Sequence, residues 1–176
     1  LPVVFLLYAL IKQKTIRNLI LVMASLVFYA FGEPVAVMIM IVSIIFNYIF
    51  GRMASSGKKT KLAVFLAVLV NIGLLLAYKY SGFFVDIFND VTGLSVPVPH
   101  IRLPIGISFF TFQGLSYVID VYREPKLVQK NFFYVLLYIS FFPQLIAGPI
   151  VRYEDIAQQL EKRTHSFSKF RSGIER

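Results

Sequence analysis

Six apolar runs, separated by short basic or turn-forming stretches, constrain this chain more than any other feature. Residues 35–50 carry only Ser43 and Asn47 as polar interruptions, and residues 62–80 are about as long as a helix must be to cross the hydrocarbon of a bilayer. A soluble core has no room for this much uninterrupted apolar sequence. The expected fold is therefore all-α: a polytopic, transmembrane helical protein. A composition of 57% hydrophobic residues and a mean hydropathy of +0.72 agree with it.

The formal charge of +9 is gathered into clusters between the runs and not spread as a solvated surface would spread it, which points to loops and lipid headgroups, with no nucleic acid partner. Basic clusters at residues 12–17, 51–61 and 123–130 alternate with a Gly32-Glu33-Pro34 turn and with residues 81–102. The positive-inside rule places the basic clusters in the cytoplasm and the other connections outside. With no cysteine, the chain holds no disulfide framework, Cys metal site or cysteine acyl-enzyme. Leu1 opens within an apolar run that lacks a basic flank, so that run reads as the tail of a membrane helix and not as a signal peptide.

Local patterns refine this outline. Ser43 and Asn47 share a helix face at i and i+4, which suits a contact with a neighbouring helix. Tyr78-Lys79-Tyr80 reads as an interfacial anchor with a snorkelling lysine. Residues 81–92 are too short and too acidic to span, yet Phe83, Phe84, Ile87, Phe88 and Val91 recur at helical spacing, as in a helix lying in the interface. Residues 154–176 read as an amphipathic surface helix.

The fifth run, residues 103–122, is expected to be helical throughout. At about 100° per residue it gathers Gly106, Gln113, Ser116 and Asp120 in one arc with Tyr117 beside it, and sets Ser108 and Thr111 opposite, where their hydroxyls can return to the backbone. Such a polar stripe should face protein or water, not lipid. Asp120 also reads as a helix-end residue paired with Arg123.

The sixth run, residues 131–147, leads into FFPQLIAGPIVRY at residues 141–153, where Pro143 and Gly148-Pro149 interrupt an apolar stretch. Each proline removes a donor and crowds the carbonyl four residues back, and the freed groups need partners in protein or in a water-lined cavity. If this run crossed the membrane, residues 152–176, with six basic residues against four acids, would lie outside, against the charge bias. A re-entrant or broken helix resolves the conflict, and we take that as the expectation.

Catalytic chemistry is thin. His100 follows two prolines in a loop and His165 lies in a polar tail; both read as surface residues. No carboxylate pair, phosphate-cradling loop or metal-ligand spacing stands out.

LPIGISFFTFQGLSYVIDVYR at residues 103–123 and FFPQLIAGPIVRY at residues 141–153 together resemble the membrane-bound O-acyltransferase family. They are most similar to its bacterial branch of alginate and polysaccharide O-acetyltransferases. The resemblance implies a ring of helices around a thin centre crossed by a tunnel, with residues 1–176 as the N-terminal part of one multi-pass acyltransferase domain of the bacterial inner membrane. It implies acetyl-CoA as the donor, with no resident cofactor and no metal. An extracytoplasmic relay or acetyltransferase protein and a polysaccharide acceptor would be its partners. The family's catalytic histidine is expected outside this chain, so no residue here receives that role and the chain alone is expected to be inactive. Gln113, Asp120, Gln144, Pro149, Arg152 and Tyr153 lie in the matching motifs and are the candidates for tunnel shape or donor binding, with Arg152 suited to phosphate or to an interfacial anchor. A transporter, whose broken helices also build midplane sites, and a non-catalytic membrane scaffold are the alternative readings.

Overall fold

The computed structural model describes residues 2–11, 13–57, 59–98, 101–145 and 151–161, and all regular structure among them is helical. Three helices are long and apolar enough to cross a membrane: α2 (Lys14–Gly32), α3 (Pro34–Ala54) and α4 (Thr60–Lys79). They are preceded by the short α1 (Pro2–Leu10) and followed by α5 (Ser81–Thr92), α6 (Ile107–Arg123), α7 (Phe132–Ser140), the single turn α8 (Phe142–Leu145) and α9 (Tyr153–Glu161).

Local chemistry sets the ends of these helices. Pro34 pushes Glu33 out of the helical region, to φ −150° and ψ 87°, which stops α2 and starts α3 with proline where no amide donor is needed. Gly93, in the left-handed conformation at φ +70°, closes α5. Helix α6 starts four residues later than its apolar run suggests, because Gly106 stands before it at φ +76°. Gly106 is therefore outside the helix, and the expected polar arc begins at Gln113.

The interior is built by α3, α4 and α6, which pack on one another; α2 and α7 lie against α3, and α9 lies across the end of α6. Helix α5 has no buried residue, and Phe83, Phe84, Ile87, Phe88 and Val91 are all exposed, as suits the interfacial helix expected for residues 81–92. Beside it the Lys79 ammonium lies 5.7 Å from the centre of the Tyr80 ring.

The sixth run does not form one helix. Helix α7 stops at Ser140, Phe141 turns to φ −58° and ψ 110°, and α8 begins at Phe142. Pro143 thus falls in the first turn of α8, where its missing N–H costs little, and the break precedes it. The Phe142 N–H donates to Ser25 Oγ at 3.2 Å. Ser25 is eleven residues beyond Lys14, roughly 16 Å along α2 and about half the thickness of a bilayer core.

Both flanks of this segment meet the same end of the bundle. On the entry side, the Lys130 carbonyl accepts from Tyr48 of α3 at 2.7 Å and the Gln129 N–H donates to Tyr117 Oη at 3.3 Å. On the exit side, the Leu160 carbonyl accepts from Asn18, in the second turn of α2, at 3.4 Å. Arg52, Lys61 and Arg123 mark this as the basic end. The chain enters there, reaches about half depth at Phe142 and is back at that end by α9.

Because the chain has no cysteine, single introduced cysteines can report sidedness. Cysteines replacing the exposed Lys126 and Gln158 should react with an impermeant maleimide from one side of the membrane, and one replacing Asp90 from the other. Labelling of positions 158 and 90 from the same side would overturn the re-entrant path.

Candidate functional site

Two buried polar assemblies meet along α6. The first joins it to α3 and α4. Asn47 and Asn71 exchange side-chain hydrogen bonds, Asn47 Nδ2 to Asn71 Oδ1 at 3.1 Å and Asn71 Nδ2 to Asn47 Oδ1 at 2.8 Å, and each also donates to a carbonyl one turn back on its own helix, Ser43 O and Ala67 O. The expected interhelical role of the Ser43/Asn47 face holds, with Asn71 as the partner the sequence reading missed. Its one signal was an amide isolated in an apolar span, which in hydrocarbon needs a partner.

Helix α6 approaches this pair through glycine. A Cβ on Gly114 would stand 2.4 Å from Asn47 Nδ2, and one on Gly51 of α3 would stand 2.4 Å from the Tyr117 ring. Next to Gly114, Gln113 is 1% exposed, and among the described residues neither atom of its amide has a hydrogen-bond partner. On the other side of the helix Thr111 Oγ1 donates to Ile107 O, as its expected backbone return requires.

The second assembly lies toward the basic end. Tyr153 opens α9 and is held edge-on between two other rings, 4.8 Å from Tyr117 of α6 and 5.2 Å from Tyr138 of α7. All three are almost fully buried. Gln129, a buried loop residue, reaches Tyr153 Oη with its Nε2 at 3.5 Å, while Tyr138 Oη donates to the Val151 carbonyl at 2.8 Å. Asp120 Oδ2 accepts from Ser116 Oγ and from the Glu154 N–H, both at 3.5 Å. A carboxylate facing the first turn of a helix is favoured by the exposed amide donors there and by the helix dipole. Asp120 thus holds α9, in place of the expected pairing with Arg123. Among the described residues the one ion pair is Glu33 with Arg102.

The candidates therefore divide. Asp120 and Tyr153 stand together at the α6–α9 junction. Gln144 lines a separate cavity of about 230 Å³ with Leu21, Tyr138, Phe141, Ile156 and Gln159, so Tyr138 belongs to both places. Gln113 is enclosed farther along α6, Arg152 is exposed just before α9, and Pro149 lies outside the described residues, as do His100 and His165. Gln129 and Tyr138 escaped the sequence reading, since nothing in a polar loop or an aromatic-rich run distinguishes a buried side chain from an exposed one. The surface helix expected over residues 154–176 is described as far as α9, and there it is anchored by the buried Tyr153 and Leu160. Among the described residues no group of three or more His, Cys, Asp or Glu could hold a metal ion.

Comparison with known proteins adds a whole-chain likeness. A probable alginate O-acetylase of Pseudomonas aeruginosa is 39% identical over 184 aligned residues, which cover 100% of this chain and 35% of that protein. A probable alginate O-acetylase of Azotobacter vinelandii is 39% identical over 91% of this chain and 34% of its own length. A peptidoglycan O-acetyltransferase of Helicobacter pylori is 30% identical over 96% of this chain and 37% of its own. The chain thus spans about a third of the length of the curated relatives it matches. No family model matches it, and no solved structure matches it.

Proposed function

Since this chain belongs to the membrane-bound O-acyltransferase family, in the branch of the alginate O-acetylases, we propose that a protein of its relatives' full length built on it carries acetyl groups from a cytoplasmic donor across the inner membrane. The groups end as O-acetyl esters on an exopolysaccharide such as alginate, through an extracytoplasmic relay or acetyltransferase partner. The donor in this reading is acetyl-CoA: the acyl carbon–sulfur bond breaks, a carbon–oxygen bond forms to a hydroxyl, and the hydroxyl proton leaves with the thiolate. The base that moves this proton is assigned to no residue of this chain.

The observation that supports the reading is a segment that breaks at Phe142, about half-way along α2, and whose two described flanks meet the same end of the bundle. It reduces the barrier between the two sides, and its broken backbone is held by protein, through Ser25 at the Phe142 N–H and Tyr138 at the Val151 carbonyl. Gln144 brings an amide, both donor and acceptor, to the cavity beneath the break, where it can orient a carbonyl or amide of an entering donor arm. Arg152, exposed at the basic end, can offer a bidentate fork to donor phosphates. Asp120 and Tyr153 position Arg152 by fixing the start of α9.

In the full-length protein, Gln144→Ala and Arg152→Ala should each lower polymer acetylation about tenfold or more, the equivalent of one charge-assisted or buried hydrogen bond, while the protein still inserts. Unchanged acetylation in both variants would remove these two residues from the donor path.

A further inference from the structure

At the end of the bundle opposite the basic one, Glu33 caps the α2–α3 turn and lies between two apolar clefts. One, of about 480 Å³, runs along α2 past Val27, Phe28 and Phe31; the other, of about 310 Å³, runs along α3 past Val35 and Ile39 to Tyr78 of α4. Glu33 and Gly32 line both. Where the clefts meet, Arg102 Nε pairs with Glu33 Oε1 at 3.4 Å, and the second carboxylate oxygen accepts the Ile105 N–H at 3.3 Å. The Arg102 side chain remains 84% exposed, so its terminal guanidinium nitrogens face outward.

We propose that this end of the bundle holds one two-chain phospholipid, its phosphodiester on the Arg102 guanidinium and its acyl chains in the clefts on either side of Glu33.

Depth supports this occupant. Helix α4, at 20 residues, is about 30 Å long, the thickness of the hydrocarbon core, so its end at Lys79 marks the headgroup plane. Tyr78, one residue before that end, lines the same cleft as Arg102, which puts the guanidinium at the level of the lipid phosphates. Below this plane the clefts are apolar. Phe31 and Val35, which flank the turn, are 95% and 75% exposed and face acyl chains at no cost in lipid. Charge is complementary as well: Glu33 fixes the arginine through Nε and leaves the fork of terminal nitrogens for two phosphate oxygens. A shell lipid sliding past a smooth helix has neither the fixed cation nor the paired grooves.

The test uses the full-length protein in bilayer nanodiscs doped with a phospholipid carrying a diazirine on one acyl chain. After illumination, crosslinks are mapped by mass spectrometry. They should concentrate on residues 27–39. Arg102→Ala should lower them about tenfold, the effect of losing a charge-assisted bidentate contact. Ile39→Trp, which fills the smaller cleft without touching the ion pair, should remove the crosslinks on that side alone, so a folding defect in the arginine variant does not decide the matter. Crosslinks spread evenly over the exposed faces of α2, α3 and α4 would overturn the proposal. So would a yield unchanged by both substitutions, or crosslinks showing a later part of the chain packed over the clefts.

Discussion

Tyr153→Ala should lower the stability of the full-length protein by about 3–5 kcal/mol, the range for removing a large aromatic side chain from a packed core. The ring is 1% exposed and held edge-on by Tyr117 and Tyr138, so deletion opens a cavity bounded by two rings anchored on other helices. Those rings cannot collapse freely, because Tyr117 abuts Gly51 and Tyr138 is bonded to the Val151 carbonyl. Each aromatic pair adds about 0.5–1.5 kcal/mol beyond its buried area. Tyr153→Phe keeps the ring and gives up the hydroxyl with its 3.5 Å contact to Gln129, for a cost below about 1.5 kcal/mol. Thermal unfolding in detergent should separate the two variants clearly, and limited proteolysis should find α9 cleavable only in the alanine variant. Equal behaviour of both variants would mean that the ring is not the anchor of α9.

Gly114→Ala is the second large effect. The new methyl would stand 2.4 Å from Asn47 Nδ2 and 2.7 Å from Asn47 Cγ, closer than any real contact. Asn47 cannot swing aside without giving up its exchange with Asn71 and its bond to the Ser43 carbonyl. Overpacking costs roughly 1–3 kcal/mol, and each interhelical hydrogen bond lost in a membrane adds about 0.6 kcal/mol. Gly73→Ala is the control, since a Cβ there meets nothing within 4 Å among the described residues. The same methyl group should therefore be neutral or slightly stabilising in α4 and damaging in α6. The two melting temperatures measured side by side test this directly.

Much of the helix layout was legible in the sequence because lipid imposes two simple demands, apolar length and satisfied backbone. The interfacial helix at residues 81–92 and the stop at Glu33 followed from spacing and from proline alone. The late start of α6 did not, because a glycine inside an apolar run reads equally as helix or as turn until its φ is known. The break in the sixth run was anticipated, but its place was not. Proline announces a break nearby, whereas Ser25, a hydroxyl on another helix, takes up the freed N–H at Phe142.

The candidate site was legible only as residue types on a face. Asp120 was rightly placed among groups that should avoid lipid, yet its partners are Ser116 and the start of α9, a segment far along the chain that no periodicity connects to it. Gln129 joins Tyr117 and Tyr153 from a loop, and loops carry no face to read. Long-range polar contacts of this kind are set by packing, which a single sequence shows only where one residue is conspicuously out of place, as Asn71 is.

Helices α3 and α4 turn toward each other surfaces made largely of aliphatic side chains, and such surfaces have no strong preference for one axial offset over the next. Sliding one helix by a single turn, about 5.4 Å, would set aliphatic against aliphatic again. It would also part Asn47 from Asn71 and leave their amides facing hydrocarbon, at roughly 1–3 kcal/mol for each orphaned group. The amide pair is thus an index mark on an otherwise unmarked scale. It sets the register of the hairpin that α3 and α4 form, and the glycine of α6 fits only against a hairpin set at that mark.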